Sequence, residues 1–254
     1  MGSPPSDQRV RRYQRQTCLP EVGREGQLKL RDAKVFVAGL GGLGSVSVTY
    51  LVAAGVGHVR IVDKDVVEPE NLNRQILHWT EDIGKTKIDS AADKLGRLNP
   101  DCRIETFKEE VRAENAGDLI SDSSVILDGT DNLETRLVLN RVSVEKGVPF
   151  VFGGVEGLDG MISTFVPGRS PCLACLFPGP PPRKRMPGIL GPLPGLVASI
   201  QSLEALKVIL GLDGLLRGRV LYIRGGPLTF KEILVERNPD CTVCHPLREG
   251  NGEA

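Results

Sequence analysis

Ala33-Lys34-Val35-Phe36-Val37-Ala38-Gly39-Leu40-Gly41-Gly42-Leu43-Gly44 reads as a strand running into a glycine-rich turn. Its first six residues are apolar and β-branched enough for a buried strand, and Ser45 to Gly55 are apolar enough for a helix. A Gly-x-Gly-x-x-Gly hexamer carries meaning only in that strand, turn and helix setting. Gly39 permits the tight turn, Gly41 lets the backbone approach a phosphate, and Gly44 lets helix and strand pack closely. The start of the helix offers unpaired N–H groups to an anion, so the turn predicts a nucleotide.

A second strand, Val59-Arg60-Ile61-Val62, ends at Asp63, where a ribose-binding carboxylate is expected in a dinucleotide fold. To this point NAD and ATP are served equally. The next segment separates them: Asn71-Leu72-Asn73-Arg74-Gln75 brings an arginine just beyond the strand, and Lys87 opens the following helix. Two cations aimed at a triphosphate suit nucleotidyl transfer better than hydride transfer, because charge on the phosphates is what must be stabilised. The bland alternative is that both are solvated surface charges.

Alternating strands and helices continue along the chain. A helix is expected near 85–98, strands near 103–107 and 124–127, a helix over 133–146 and a strand over 148–152. That order predicts an α/β, Rossmann-like, doubly wound and mostly parallel sheet. Later strands near 161–166, 219–223 and 228–235 read as a C-terminal antiparallel extension of that sheet or as a separate layer. Between them, 177–195 carries seven of the chain's 18 prolines and the basic run Arg183-Lys184-Arg185, and reads as an exposed crossover loop. A helix is expected from about 196 to 210. The domain reading is an N-terminal arm with helices over 1–30, a nucleotide-binding half over 31–155, a second half over 156–246 holding the crossover loop, and a frayed tail over 247–254. Asp131 lies in Asp128-Gly129-Thr130-Asp131-Asn132, after the strand at 124–127 and so at the same sheet edge as the glycine turn. A carboxylate there suits magnesium, or else serves as a cap for the following helix, a duty Asn132 could also take.

Lysine plus arginine and aspartate plus glutamate both total 32, so no global basic field argues for nucleic acid. No apolar run reads as a membrane span, and Met1 to Arg12 is too polar for a signal peptide, so a cytoplasmic protein without membrane contact is expected. Six cysteines are then unlikely as disulfides. Four form the pairs Cys172-x-x-Cys175 and Cys241-x-x-Cys244, the spacing that lets two thiolates reach one tetrahedral ion, and zinc is the natural occupant. Four thiolates leave no open position, so the site reads as structural, with His245 a bystander or at most a substitute ligand. Cys18 and Cys102 are expected to be small buried or half-buried residues.

Together these motifs are highly specific. From about Arg12 to Cys244 the chain resembles the MoeB, ThiF and HesA family, bacterial relatives of the ubiquitin-activating enzymes. The resemblance rests on Arg12-Tyr13-Gln14-Arg15-Gln16, the glycine turn, Asn71-Leu72-Asn73-Arg74-Gln75, Gly84-Lys85-Thr86-Lys87, Thr130-Asp131-Asn132 and both cysteine pairs. It implies adenylation: the Gly-Gly carboxylate of a ubiquitin-fold sulfur carrier protein attacks the α-phosphorus of ATP and pyrophosphate leaves. By resemblance Asp63 would bind the ribose, and the turn through Gly39, Gly41, Gly42, Leu43 and Gly44 the adenosine and phosphates. Asn71, Arg74, Gln75 and Lys87 would bind the phosphates, Asp131 would hold Mg2+, and Arg15 would enter the ATP site from the other subunit of a homodimer. Arg74, Lys87, Asp131 and Arg15 are therefore the catalytic candidates.

One departure from the family pattern stands out. Many relatives carry an acyl-accepting cysteine in the crossover loop, whereas 177–195 holds none here. The chain is expected to stop at the adenylate, with sulfur arriving from a separate persulfide donor. Competing readings are a family member acting on a tRNA base or a peptide, an NAD-dependent oxidoreductase, and an inactive scaffold. Cys18 stands as a substitute nucleophile that nothing in its surroundings favours.

Overall fold

The computed structural model describes residues 11–179 and 188–244; Arg183 to Arg185, His245 and the tail over 247–254 lie outside them. The chain order is α1 (Gln14–Thr17), α2 (Gly23–Asp32), β1 (Lys34–Ala38), α3 (Gly44–Ala54), β2 (His58–Val62), α4 (Lys87–Leu98), β3 (Arg103–Phe107) and α5 (Ala116–Ile120). There follow β4 (Val125–Asp128), α6 (Leu133–Lys146), β5 (Phe150–Glu156), β6 (Asp159–Phe165), α7 (Leu173–Leu176), α8 (Pro192–Leu210), β7 (Arg219–Arg224) and β8 (Thr229–Leu234).

All eight strands join one sheet in the order β3-β2-β1-β4-β5-β6-β7-β8. The first five are parallel, with Val35 opposite Val59 on one side and Val125 on the other. From β5 onward the pairing is antiparallel, so the late strands extend the sheet and do not form a separate layer.

Alternation along the strands divides the core. Val35, Val37, Ile61 and Leu127 pack with Val48 and Leu51 of α3 and Ile88 and Leu95 of α4. Phe36, Ile126, Phe150 and Phe152 pack on the other face with Leu119 and Leu139 of α5 and α6. Burial of each such side chain contributes about 1.5–3 kcal/mol, which is why β1 and β4, covered on both faces, read as continuous apolar runs. Local signals end the helices. Gly55, Gly147 and Gly211 take the left-handed conformation after α3, α6 and α8, while Thr86 and Asn132 cap the starts of α4 and α6 through their side chains.

The crossover loop is shorter than its proline content predicts. Pro192, Leu193 and Pro194 belong to the first turn of α8, and Leu193 is buried. Proline fits there because the first helical N–H groups have no partner to lose. The helix Pro192–Leu210 has the length and mean hydropathy, 1.4, of a membrane span. It is packed in this fold against α2, α3, β4, β5 and β6. The sequence pattern does not predict the short helices α5 and α7, because one turn leaves no periodicity to read.

Candidate nucleotide site at the strand-order reversal

Strand order reverses between β1 and β4, and the loops leaving their carboxyl ends flank a crevice, the place where open α/β sheets bind ligands. The glycines of the first loop divide into two kinds. A Cβ on Gly44 would lie 1.8 Å from the Gly39 carbonyl oxygen, and one on Gly39, at φ +87°, would lie 2.7 Å from the Gly129 oxygen. Those two serve close packing of the two loops. A Cβ on Gly41 would meet only the Gly129 oxygen at 3.8 Å, so that face of the turn is open to a ligand. Among the described residues no group accepts the N–H of Gly41, Gly42 or Leu43. They form the start of α3 and offer an anion three donors.

Leu40 is held from both ends. Its N–H donates to Asp63 Oδ2 at 2.7 Å, and its carbonyl oxygen lies 3.2 Å from His78 Nε2, while His78 Nδ1 lies 2.8 Å from Ser90 Oγ. Burial pushes the His78 imidazole down to about 4, so it is neutral near pH 7. The Leu40 carbonyl can only accept, so the neutral ring carries its proton on Nε2 and leaves Nδ1 to accept from the Ser90 hydroxyl. Asp63 Oδ1 accepts from the N–H of Asp65 at 2.8 Å, so both carboxylate oxygens are oriented by backbone while keeping free lone pairs. Burial pushes the Asp63 carboxyl up, an effect that the charge of Lys87 opposes.

Lys87 is the first residue of α4 and only 6% exposed. Its ammonium donates to Asp65 at 3.0 Å. Arg74 lies over the turn, its Cγ 3.6 Å from where a Cβ of Gly42 would sit, and among the described residues its guanidinium bonds only the Glu70 carbonyl and Asn73 Oδ1. The bland alternative of two solvated charges therefore fails for Lys87. Asn71 is buried and uses Oδ1 to accept from the Glu68 N–H, which leaves its amide N–H groups for a ligand. Gln75 is 4% exposed, and among the described residues its Oε1 has no partner.

On the opposite wall Asn132 caps α6, accepting from the Thr135 N–H at 2.8 Å. Asp131 is thereby released from capping and stands exposed at the end of β4, a single oxygen ligand suited to a hard cation. Asp128, three residues earlier, has no direct access to ligand. It is 1% exposed and paired with Arg136 at 2.8 Å, and Arg136 also donates to the carbonyls of Thr130 and Gly153. Sequence reasoning gives no part to His78, Asp128 or Arg136. Only the rarity of histidine, three in the chain, marks the first.

Arg15 does not join this cluster. It is exposed and among the described residues has no partner, while its neighbours are fastened to the far end of α3: Gln16 Nε2 donates to the Ala54 carbonyl at 2.9 Å. An eleven-residue helix separates that point from the glycine turn, about 16 Å. The same short α1 leaves Cys18 exposed, contrary to the expectation of burial, whereas Cys102 is buried and its thiol is pushed up to about 12.

The four paired cysteines converge. Their sulfur atoms all lie within 4.8 Å of one another, with Cys172 and Cys241 at 3.7 Å and Cys175 and Cys244 at 3.5 Å. Zn–S bonds of about 2.3 Å in a tetrahedron separate sulfurs by about 3.8 Å, so the donor set and spacing fit zinc. Burial pushes the Cys172 and Cys244 thiols up, and a bound cation is what lets such a cluster ionise. The cluster sits where β6 and β8 end, at the sheet edge opposite the nucleotide crevice.

A family model described as the ThiF family matches residues 13–243. Over 243 residues the chain is 42% identical to the sulfur carrier protein adenylyltransferase of Thermus thermophilus, covering 92% of this chain and 90% of that protein. It is 40% identical over 241 residues to the adenylyltransferase and sulfurtransferase MOCS3 of Culex quinquefasciatus, covering 92% of this chain but spanning 55% of that protein's length. A crystal structure of E. coli MccB with MccA-N7isoASN shares the fold, with a TM-score of 0.83, 20% identity and coverage of 93% of this chain and 74% of MccB.

Proposed function

The chain belongs to the ThiF family, and from that premise we propose that it is an ATP-dependent adenylyltransferase of a ubiquitin-like sulfur carrier protein. The observation that carries the reading is the placement of two cations beside the phosphate turn: buried Lys87, and Arg74 lying over Gly42 with no carboxylate among its partners in the described residues. Hydride transfer has no use for that charge. Nucleotidyl transfer does, because charge on the phosphates must be held in line and stabilised as the bond to pyrophosphate breaks.

Asp63 would receive the ribose hydroxyls and the open N–H groups of Gly41, Gly42 and Leu43 the phosphates. Asn71, Gln75, Arg74 and Lys87 would close over the triphosphate. Asp131 would hold Mg2+, which supplies charge neutralisation on the triphosphate. The carrier's terminal carboxylate then attacks the α-phosphorus, giving an acyl adenylate and pyrophosphate. With no cysteine in 177–195 the acyl group stays on AMP until the terminal sulfur of a separate persulfide donor attacks the acyl carbon, forming a C–S bond as the acyl–phosphate C–O bond breaks and AMP leaves. The four-cysteine cluster would hold structural zinc and take no part in these steps.

The division into a nucleotide-binding half and a carrier-binding half over 156–246 is supported by an apolar ledge on the latter. Leu158, Leu190 and Leu228 are exposed where the β5–β6 and β7–β8 hairpins turn, at the same sheet edge as the nucleotide crevice. A homodimer is supported by a second patch. Tyr50 and Leu203, both more than half exposed, flank a groove that Gln16 also lines. A second copy covering it would bring Arg15, which lies too far to serve its own glycine turn, toward the partner's.

Carrier-dependent ATP–pyrophosphate exchange tests the reading, with a panel of ubiquitin-fold proteins ending in Gly-Gly and Arg74→Ala as control. Exchange that needs both the Gly-Gly tail and Arg74 supports it. ATP binding without exchange from any carrier overturns it.

A further inference from the structure

The segment Arg12 to Gln16 is fastened more thoroughly than a surface arm requires. Tyr13 packs its ring where a side chain on Gly55 would have to go: a Cβ there would lie 2.7 Å from the ring carbons. Its phenol oxygen accepts from Asn99 Nδ2 at 2.8 Å, and the same amide donates to the Val52 carbonyl at 2.8 Å. Gln16 Nε2 donates to the Ala54 carbonyl and to Gln27 Oε1, while Gln27 Nε2 donates to the same Ala54 oxygen at 3.0 Å. Arg12 donates to the Leu98 carbonyl at 2.9 Å. The Ala54 and Leu98 carbonyls are among those that the last turns of α3 and α4 leave without helical partners, while the Val52 carbonyl also accepts from the Gly55 N–H at the helix end.

A helix of four residues with no side-chain cap has no stability of its own, so it is held by these contacts together with its packing against α2. Between the two fastened side chains Arg15 projects, exposed and unpartnered among the described residues. We propose that Tyr13, Gln16 and Asn99 form a socket that positions Arg15 for the nucleotide site of a second copy of this chain. The socket pays in advance the ordering cost that a loose arm would meet in every catalytic cycle. It also makes α3 common to two sites, with the phosphate turn of its own subunit at the start and the mooring of the arginine sent to the partner at the end. This inference rests on the reading of Arg15 as acting across a dimer.

Co-expressed, doubly tagged heterodimers separate the two ideas. One protomer carries Arg74→Ala and keeps Arg15; the other carries Arg15→Ala and keeps Arg74. The single competent site is then the second protomer's turn served by the first protomer's arm, and carrier-dependent pyrophosphate exchange reads it. An inactive heterodimer overturns the trans reading and the socket with it. In an active one, Gln16→Ala or the milder Tyr13→Phe is added to either protomer. The expected result is a fall in kcat of about 10- to 100-fold, with little change in KM for ATP, when the change sits in the protomer that keeps Arg15. An equal loss whichever protomer carries the substitution overturns the socket while leaving the trans reading standing, because it would mark a local folding defect.

Discussion

Arg74 and His78 lie four residues apart and face opposite tasks. Among the described residues Arg74 bonds only its own loop, so Arg74→Ala is expected to shift stability by no more than about 0.5 kcal/mol. The same change should lower carrier-dependent exchange by about 10²–10³-fold, the cost of one preorganised group at developing charge. A thermal melt beside the exchange assay checks both, and an early melt would make Arg74 a structural residue. His78 holds the turn. Its neighbours include Lys87, Lys94 and Asp82, and burial keeps its ring neutral down to about 4, against 6.5 in the unfolded chain. The unfolded chain therefore takes up this proton first as pH falls. The stability His78 contributes is complete above 6.5, declines between 6.5 and about 4 by up to about 3 kcal/mol, and is flat below. Urea unfolding at pH 7, 5.5 and 4.5 should show a steeper acid loss for the wild type than for His78→Gln. Parallel profiles would remove the histidine from the account.

At the scale of the element, the glycine turn separates folding from binding within six residues. Gly44→Ala places a methyl group 1.8 Å from the Gly39 oxygen and should cost more than about 4 kcal/mol, read as loss of soluble folded protein. Gly41→Ala meets nothing closer than 3.8 Å and should fold normally while binding ATP poorly, as calorimetry would show. Asn132→Ala should cost about 1 kcal/mol in a denaturant titration through loss of the α6 cap. The strands and the longer helices of the parallel half, though not the one-turn α5, were legible in the sequence because buried β-branched runs and glycine stops are local signals. The start of α8 was not, since Pro192 and Pro194 read as loop until the first turn is seen to tolerate them. The positions of Asp63, Lys87 and Asp131 around the crevice, as distinct from their proposed roles, were legible because each follows a strand or opens a helix at a set distance from the turn. His78 and the Asp128–Arg136 pair were not. Their roles come from partners far away in sequence, Leu40 for the first and Gly153 for Arg136.

For the whole molecule, the two edges of the sheet carry different duties. The cysteine cluster fastens the segment around α7 to residues 241–244, remote from the nucleotide crevice. Cys172→Ser, or stripping with a strong chelator, should remove about one zinc per chain and lower stability by at least about 3 kcal/mol. Nucleotide binding measured well below the new melting point should persist. A metal-free protein with an unchanged melt would make the cluster dispensable. The central register has its own effect while the chain is being made. Val35 of β1 lies beside Val125 of β4, about 90 positions later. At about 5–20 residues per second a ribosome needs roughly 5–18 s to supply the second strand after the first. Throughout that interval β1, β2 and β3 form at most a half-sheet whose open edge, along β1, is a row of unpaired backbone N–H and C=O groups between apolar faces, so a nascent chain stalled before β4 is the species most exposed to mispairing.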